Sequence, residues 1–140
     1  MRLIGNILWL LLGGLEMAIV YAIAGLIAFL LIVTAPLGVA AFRLASFSLW
    51  PFGRSLVRKE SAGAGSTIAN VLWIVLIGWW VAIGHLLVAI VNAITIIGIP
   101  FAVAHVKLAR AALTPFGHDV VEGNGRGIQV DRPGAVPARR

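Results

Sequence analysis

Two long apolar runs dominate the pattern of this chain. The first extends from Leu3 to Phe42 and is broken by one charge, Glu16. The second extends from Ile68 to Val106 with no Asp, Glu, Lys or Arg at all. Each is roughly twice the ~20 residues that one membrane-spanning helix needs. No soluble domain of this length has a core that could hide such a run, so lipid is the expected solvent. After each run comes a mixed stretch, RLASFSLWPFGR from Arg43 to Arg54 and KLARAALTPFGH from Lys107 to His118. Their apolar residues recur at three- and four-residue spacing, which predicts a short amphipathic basic segment at the interface, stopped by Pro51-Phe52-Gly53 or Pro115-Phe116-Gly117. Residues 57–67, VRKESAGAGST, read as a polar linker. Residues 122–140 have no apolar periodicity and read as a disordered basic tail.

The halves match without a gap at an offset of 64. Asn6-Ile7-Leu8-Trp9 aligns with Asn70-Val71-Leu72-Trp73, Gly14 with Gly78, Pro36 with Pro100, and Pro51-Phe52-Gly53 with Pro115-Phe116-Gly117. Shared leucine and alanine could follow from composition; shared Trp, Pro, Gly and Asn in one register could not. The domain reading is therefore a first membrane repeat over 3–56, the linker, a second repeat over 68–121, and the tail. Repeats of this kind often pack about a pseudo-symmetry axis with a site between them.

Composition agrees. Hydrophobic residues make up 61% of the chain and charged ones 11%, against about 25% charged in soluble domains. The net charge of +6 would suit nucleic acid, but the cations flank the apolar runs, where anionic headgroups sit. No groove-reading helix or aromatic-basic surface is visible, so no nucleic-acid partner is expected. There is no cysteine, which excludes disulfides and thiolate metal sites. Arg2 followed by an apolar run and Ala22-Ile23-Ala24 imitates a signal peptide; the run continues to Phe42 and recurs in the second half, so the segment reads as part of the repeat.

At these residues the chain resembles the YccF-type inner-membrane component domain, which has two tandem copies of an N-x-L-W … G-W-W … I-I-G-I-P … P-x-G unit. The second copy carries it most completely, as Asn70-Val71-Leu72-Trp73, Gly78-Trp79-Trp80, Ile96-Ile97-Gly98-Ile99-Pro100 and Pro115-Phe116-Gly117. The first has Gly14-Leu15-Glu16 and Val33-Thr34-Ala35-Pro36 instead. The resemblance covers roughly residues 3 to 121 and implies a bacterial inner-membrane protein. It implies no reaction and lends no catalytic residues.

The fold expected is an all-α integral membrane protein of two tandem repeats. Each repeat is a transmembrane helical hairpin, or one kinked span plus interfacial helices. Hairpins place Arg2, the Arg43–Lys59 group and the Lys107–Arg140 group all in the cytoplasm, as the positive-inside bias prefers, and make the duplication parallel and the protein multi-pass. In the rival reading Gly13-Gly14 and Gly78 break the runs, single spans end at Pro36 and Pro100, and the repeats are inverted.

His85, Asn92 and Thr95 form one polar stripe on the second run, a candidate polar path or set of helix–helix contacts. The first repeat has Tyr21, Ala28 and Leu31 at the matching positions. Partners within one chain look too few for the stripe, which points to a homo-oligomer. Asn6 and Asn70 are candidate helix caps or repeat-axis ligands. Glu16 is solvated if it lies at the surface and functional if buried. Arg43, Arg54, Lys107, Arg110, Trp79 and Trp80 are candidate headgroup anchors. No carboxylate pair or histidine set has catalytic or metal-ligand spacing, so no enzyme, cofactor or metal is expected. Two functions remain: a homo-oligomeric channel or transporter subunit, or a non-catalytic accessory protein that binds a membrane partner or anionic lipid.

Overall fold

The computed structural model describes residues 2–59 and 61–122 and the backbone of 129–130. In the first repeat, α1 (Arg2–Trp9) runs through a π turn at Leu10–Gly14 into α2 (Leu15–Leu30), and α3 (Ala35–Leu49) folds back along α2. Strand β1 (Arg54–Arg58) follows. The second repeat repeats this as α4 (Ala64–Trp73), a π turn at Ile74–Gly78, α5 (Trp79–Ala93), α6 (Ile99–Leu113) and β2 (His118–Glu122). A short strand β3 (Gln129–Val130) pairs parallel with β1.

The hairpin tips follow from local chemistry. Pro36 and Pro100 lie in the first turn of α3 and α6, where the missing amide proton costs nothing and the ring fixes φ for a helix start. They mark equivalent helix ends, as their spacing predicts. Threonine hydroxyls secure each tip. Thr34 Oγ1 donates to the Ala28 carbonyl at 2.8 Å. Thr95 Oγ1 donates to the Asn92 carbonyl at 3.2 Å and accepts from the Gly98 amide at 3.0 Å.

The recurring motif also acquires a physical meaning. The Trp9 indole donates to the Ser48 carbonyl and the Trp73 indole to the Ala112 carbonyl, each at 2.6 Å. Gly14 and Gly78 leave room for those rings; a Cβ at either would run into the indole. Asn6 and Asn70 are not helix caps. They sit inside α1 and α4, and each grips both peptide groups of the turn after the return helix. Asn6 Nδ2 donates to the Phe52 carbonyl and its Oδ1 accepts from the Phe52 amide, both at 3.0 Å. Asn70 does the same to Phe116, at 3.1 and 2.9 Å. Gly53 and Gly117 finish those turns with φ of 96° and 82°, which glycine adopts without steric cost.

Several expectations change. The fold is not all-α, because β1 and β2 pair antiparallel, Leu56 opposite Val120. Five-residue strands whose partner lies in the other repeat leave little local signal. The basic amphipathic stretches are not separate interfacial segments: Arg43–Leu49 and Lys107–Leu113 are the second halves of α3 and α6, with Leu44, Phe47, Leu108 and Ala112 buried. The linker shortens, since Val57 and Arg58 belong to β1 and residues 64–67 to α4. The disordered tail lies outside the described residues apart from Glu122 and residues 129–130.

Each repeat is a helical hairpin, and its long arm is also bent at the π turn. The two hairpins run antiparallel to each other. Asn92 meets the Leu12 carbonyl, the site of Gly13 lies against Val88, Met17 packs by Gly84, and Tyr21 meets His85. Tyr21 and His85 are each other's counterparts, 64 residues apart, and so are Leu56 and Val120. A residue that touches its own counterpart lies on the pseudo-two-fold axis. That axis therefore runs from the Tyr21–His85 contact, past α3 and α6, to the centre of the β1–β2 ladder. The layers along it are α2/α5, then α3/α6, then the sheet, which Arg43 of α3 joins through the His118 carbonyl at 2.8 Å.

Candidate functional site

The polar side chains of the apolar helices converge where α2, α5 and α6 meet the first π turn. Leu12 and Gly13 leave helical geometry there, Gly13 at φ 119°. A side chain at Gly13 would strike Val88 and His105 as well as strain the backbone. The kink presents the Leu12 carbonyl to the second repeat. Asn92 Nδ2 donates to it at 2.8 Å and to the Val88 carbonyl at 3.0 Å. His105 Nε2 reaches the same carbonyl at 3.4 Å.

With both rings neutral, the contacts to this carbonyl are consistent with one order of protons along the chain. A carbonyl only accepts, so His105 Nε2 carries its proton and Nδ1 is the free lone pair. His85 Nδ1 lies 3.0 Å from His105 Nδ1 and must donate to it. His85 Nε2 is then a lone pair, and Tyr21 Oη, 3.3 Å away, donates to it. The result is a one-directional chain, Tyr21 to His85 to His105 to Leu12. Tyr21, His85, His105 and Asn92 are all buried. The Trp9 ring stacks on His105, centroids 4.2 Å apart at 24°, and closes the end of the seam.

Of the stripe expected from the sequence, the structure brings His85 and Asn92 into this seam. Thr95 is exposed at the hairpin tip and serves the turn instead. The expected shortage of partners within one chain does not arise. Tyr21, His105 and a carbonyl freed by the π turn supply them, so the stripe gives no reason for a second subunit. Asn6 and Asn70 lie apart from the seam, in the turn clamps. Glu16 is exposed in the first turn of α2.

The sequence reading missed Tyr21, His105 and Leu12. A signal for one was present: His85 and His105 stand ten residues on either side of Thr95, so a hairpin folded at Thr95 sets them opposite one another. Among the described residues no group of three or more His, Asp or Glu side chains gathers to hold a metal ion.

The candidate anchors occupy the opposite pole of the axis, or the outer faces. Arg43 Nη1 and Lys59 Nζ lie 3.5 and 3.1 Å from Asp119 Oδ1. Arg54 Nη1 reaches Ser46, to its carbonyl at 3.3 Å. Lys107 sits at the level of Arg43 on α6, and Arg110 is exposed one turn further on. Trp79 and Trp80 are exposed and stack on each other at 3.9 Å. The helices Arg2–Leu30 and Ala64–Ala93 are long and apolar enough to cross a membrane, with mean hydropathy of 2.1 and 2.4.

The arrangement also makes sense of the comparisons with known proteins. The family model described as "Inner membrane component domain", YccF, matches twice, at residues 4–54 and 68–118. The two matches correspond to the two hairpin units. The protein named "Inner membrane protein YccF" of Escherichia coli (strain K12) is 35% identical over 130 residues, covering 86% of this chain and 88% of that one. Its namesake from Shigella flexneri matches to the same extent. No solved structure matches. Two family matches that together span most of the chain, and a relative 35% identical over 86% of it, establish that this chain belongs to the YccF family of inner membrane component domain proteins.

Proposed function

We propose that the protein is a non-catalytic accessory protein of the bacterial inner membrane. Its apolar helices lie in the bilayer, and its basic sheet-bearing face engages anionic lipid headgroups or a membrane partner on the cytoplasmic side. The observation that carries this reading is the segregation of charge along the axis. Arg43, Arg54, Arg58, Lys59 and Lys107 gather on the sheet and the helices beneath it, while the exposed faces of α2 and α5 are Leu, Ile, Val, Phe, Trp and Ala apart from Glu16. Juxtamembrane cations of this kind contribute about 1 kcal/mol each toward anionic lipid. Relatives named inner membrane proteins support the compartment.

Flotation with liposomes tests it. The protein is expected to resist alkaline extraction from all vesicles, and to lose affinity for phosphatidylglycerol-containing ones when Arg54, Arg58 and Lys59 are changed to Gln. Equal binding with and without those cations would count against the headgroup role. A homo-oligomeric channel or transporter is the second reading, favoured by the directional Tyr21–His85–His105 chain. It requires a stable oligomer and a proton or ion flux in proteoliposomes that His85→Ala abolishes.

A further inference from the structure

We infer that the protein enters the bilayer from one face only, with its pseudo-two-fold axis along the membrane normal, so that both hairpins lie along the membrane plane and neither crosses. This rests on the membrane reading above and replaces the multi-pass topology expected from run length.

The symmetry leaves two orientations. A two-fold rotation keeps the component of a helix along the axis and reverses the rest. Since α2 and α5 are counterparts and run antiparallel, they lie nearly perpendicular to the axis, as do β1 and β2. If the axis lay in the membrane plane, α2 and α5 would cross the bilayer. The centre of the β1–β2 ladder, Leu56 opposite Val120, would then sit at the bilayer midplane. Arg54, Arg58, Lys59, Asp119 and Glu122 would flank it in hydrocarbon, beside the open edges of a short sheet. Open edges and unscreened charges do not persist there.

Two further observations reject crossing. The return helices have 15 residues each, which at ~1.5 Å per residue is roughly 22 Å, short of the ~30 Å hydrocarbon core. Each also carries a cation near its midpoint, Arg43 in α3 and Lys107 in α6. A crossing return helix would hold these at mid-bilayer; with the axis along the normal, both sit beneath the sheet and face the headgroup side.

The hairpin tips decide the direction of entry. Crossing hairpins would push Leu31-Ile32-Val33 and Ile94-Thr95-Ile96-Ile97 into water at opposite faces. Apart from Thr95, whose hydroxyl bonds within its own turn, these residues are apolar and none is charged, and Val33 and Ile96 are 89% and 88% exposed. In the one-sided orientation both tips are covered by acyl chains at equal depth. Residue 2, the linker and β2 then share the cytoplasmic side, which satisfies the positive-inside bias although the helices run antiparallel. The partner that this surface fits is one leaflet of an anionic phospholipid bilayer.

The cysteine-free chain makes the test direct. Val33→Cys, Ile96→Cys and Ser61→Cys each alter an exposed position, so folding is not at risk. In membrane vesicles of known orientation, an impermeant maleimide is expected to label Ser61→Cys from the cytoplasmic face. Val33→Cys and Ile96→Cys should stay unlabelled from both faces until detergent is added. Fluorophores at 33 and 96 should be quenched best, and equally, by lipids brominated along the acyl chain. Labelling of 33 and 96 from opposite faces, or quenching of both at headgroup depth, would overturn one-sided entry while leaving membrane residence intact. Release of the whole protein by alkaline carbonate would overturn the membrane reading beneath it.

Discussion

The two halves of the interface between the repeats began as equals and no longer are. In one half, Asn92 and His105 of the second repeat fill the space against the first π turn, and Gly13 lets the Leu12 carbonyl meet them. In the other half the counterparts are Ala28, Ala41 and Ile77. There the π turn keeps helical φ and ψ throughout, and an apolar cleft of about 420 Å³ remains, lined by Val20, Ala28, Leu37, Ile77, Trp80 and others. A few side chains thus convert one of two equivalent grooves into a saturated polar seam and leave the other open. The outer clamps did not diverge: Asn6 and Asn70 hold their turns in the same way. The seam has diverged while the clamps keep their symmetry.

The largest expected effect comes from emptying the seam. His105→Ala removes the ring stacked on Trp9 and strands the His85 donor and part of the Leu12 carbonyl's coordination. Cavity and lost hydrogen bonds together should cost about 3–5 kcal/mol, read as a fall in Tm in detergent or nanodiscs. A loss under about 1 kcal/mol would mean the seam is not closed.

Next come the clamps. Asn6→Ala and Asn70→Ala each leave a peptide N–H and C=O of the following turn without a side-chain partner, at about 2–3 kcal/mol. The two losses should agree, since the geometry does. A large difference between them would show that the periphery, too, has diverged.

Asn92→Leu should cost about 1–3 kcal/mol, because Leu12 keeps only the longer contact to His105. Planting the same residue on the other side, Ala28→Asn, should not stabilise the protein, because no kink there turns a carbonyl toward it. A stabilising Ala28→Asn would show that the cleft can be saturated in the same way and that Gly13 is dispensable to the design. Smallest is Tyr21→Phe. It removes one donor at 3.3 Å and should cost about 0.6–1 kcal/mol, the usual scale for hydrogen bonds between membrane helices.

Much of this was legible from residues alone, for physical reasons. The apolar runs, Pro36, Pro100 and the 64-residue register define two hairpins because helix starts and apolar length are local properties. The sheet was not legible, because β1 and β2 stabilise one another across repeats and neither is convincing alone. The role of Asn6 and Asn70 was misread for a related reason: an asparagine near a helix start usually caps it, and the Phe52 and Phe116 turns that recruit these two lie 46 residues further along. The seam was half legible. His85 and Asn92 declare themselves as polar residues in an apolar run, whereas the Leu12 carbonyl exists as a partner only once the chain kinks at Gly13. The supposed need for a second subunit came from that missing acceptor.

The seam is closed within one chain by contacts that run from Tyr21 through His85 and His105 to the Leu12 carbonyl. Solid-state NMR of ¹⁵N-histidine-labelled protein in lipid at neutral pH, with His85 and His105 assigned by single replacement, tests this most directly. Two neutral rings in opposite tautomers are expected, with the proton on Nδ1 in His85 and on Nε2 in His105, coupled to each other through their Nδ1 atoms. Identical tautomers, or rings that exchange freely with water, would contradict it.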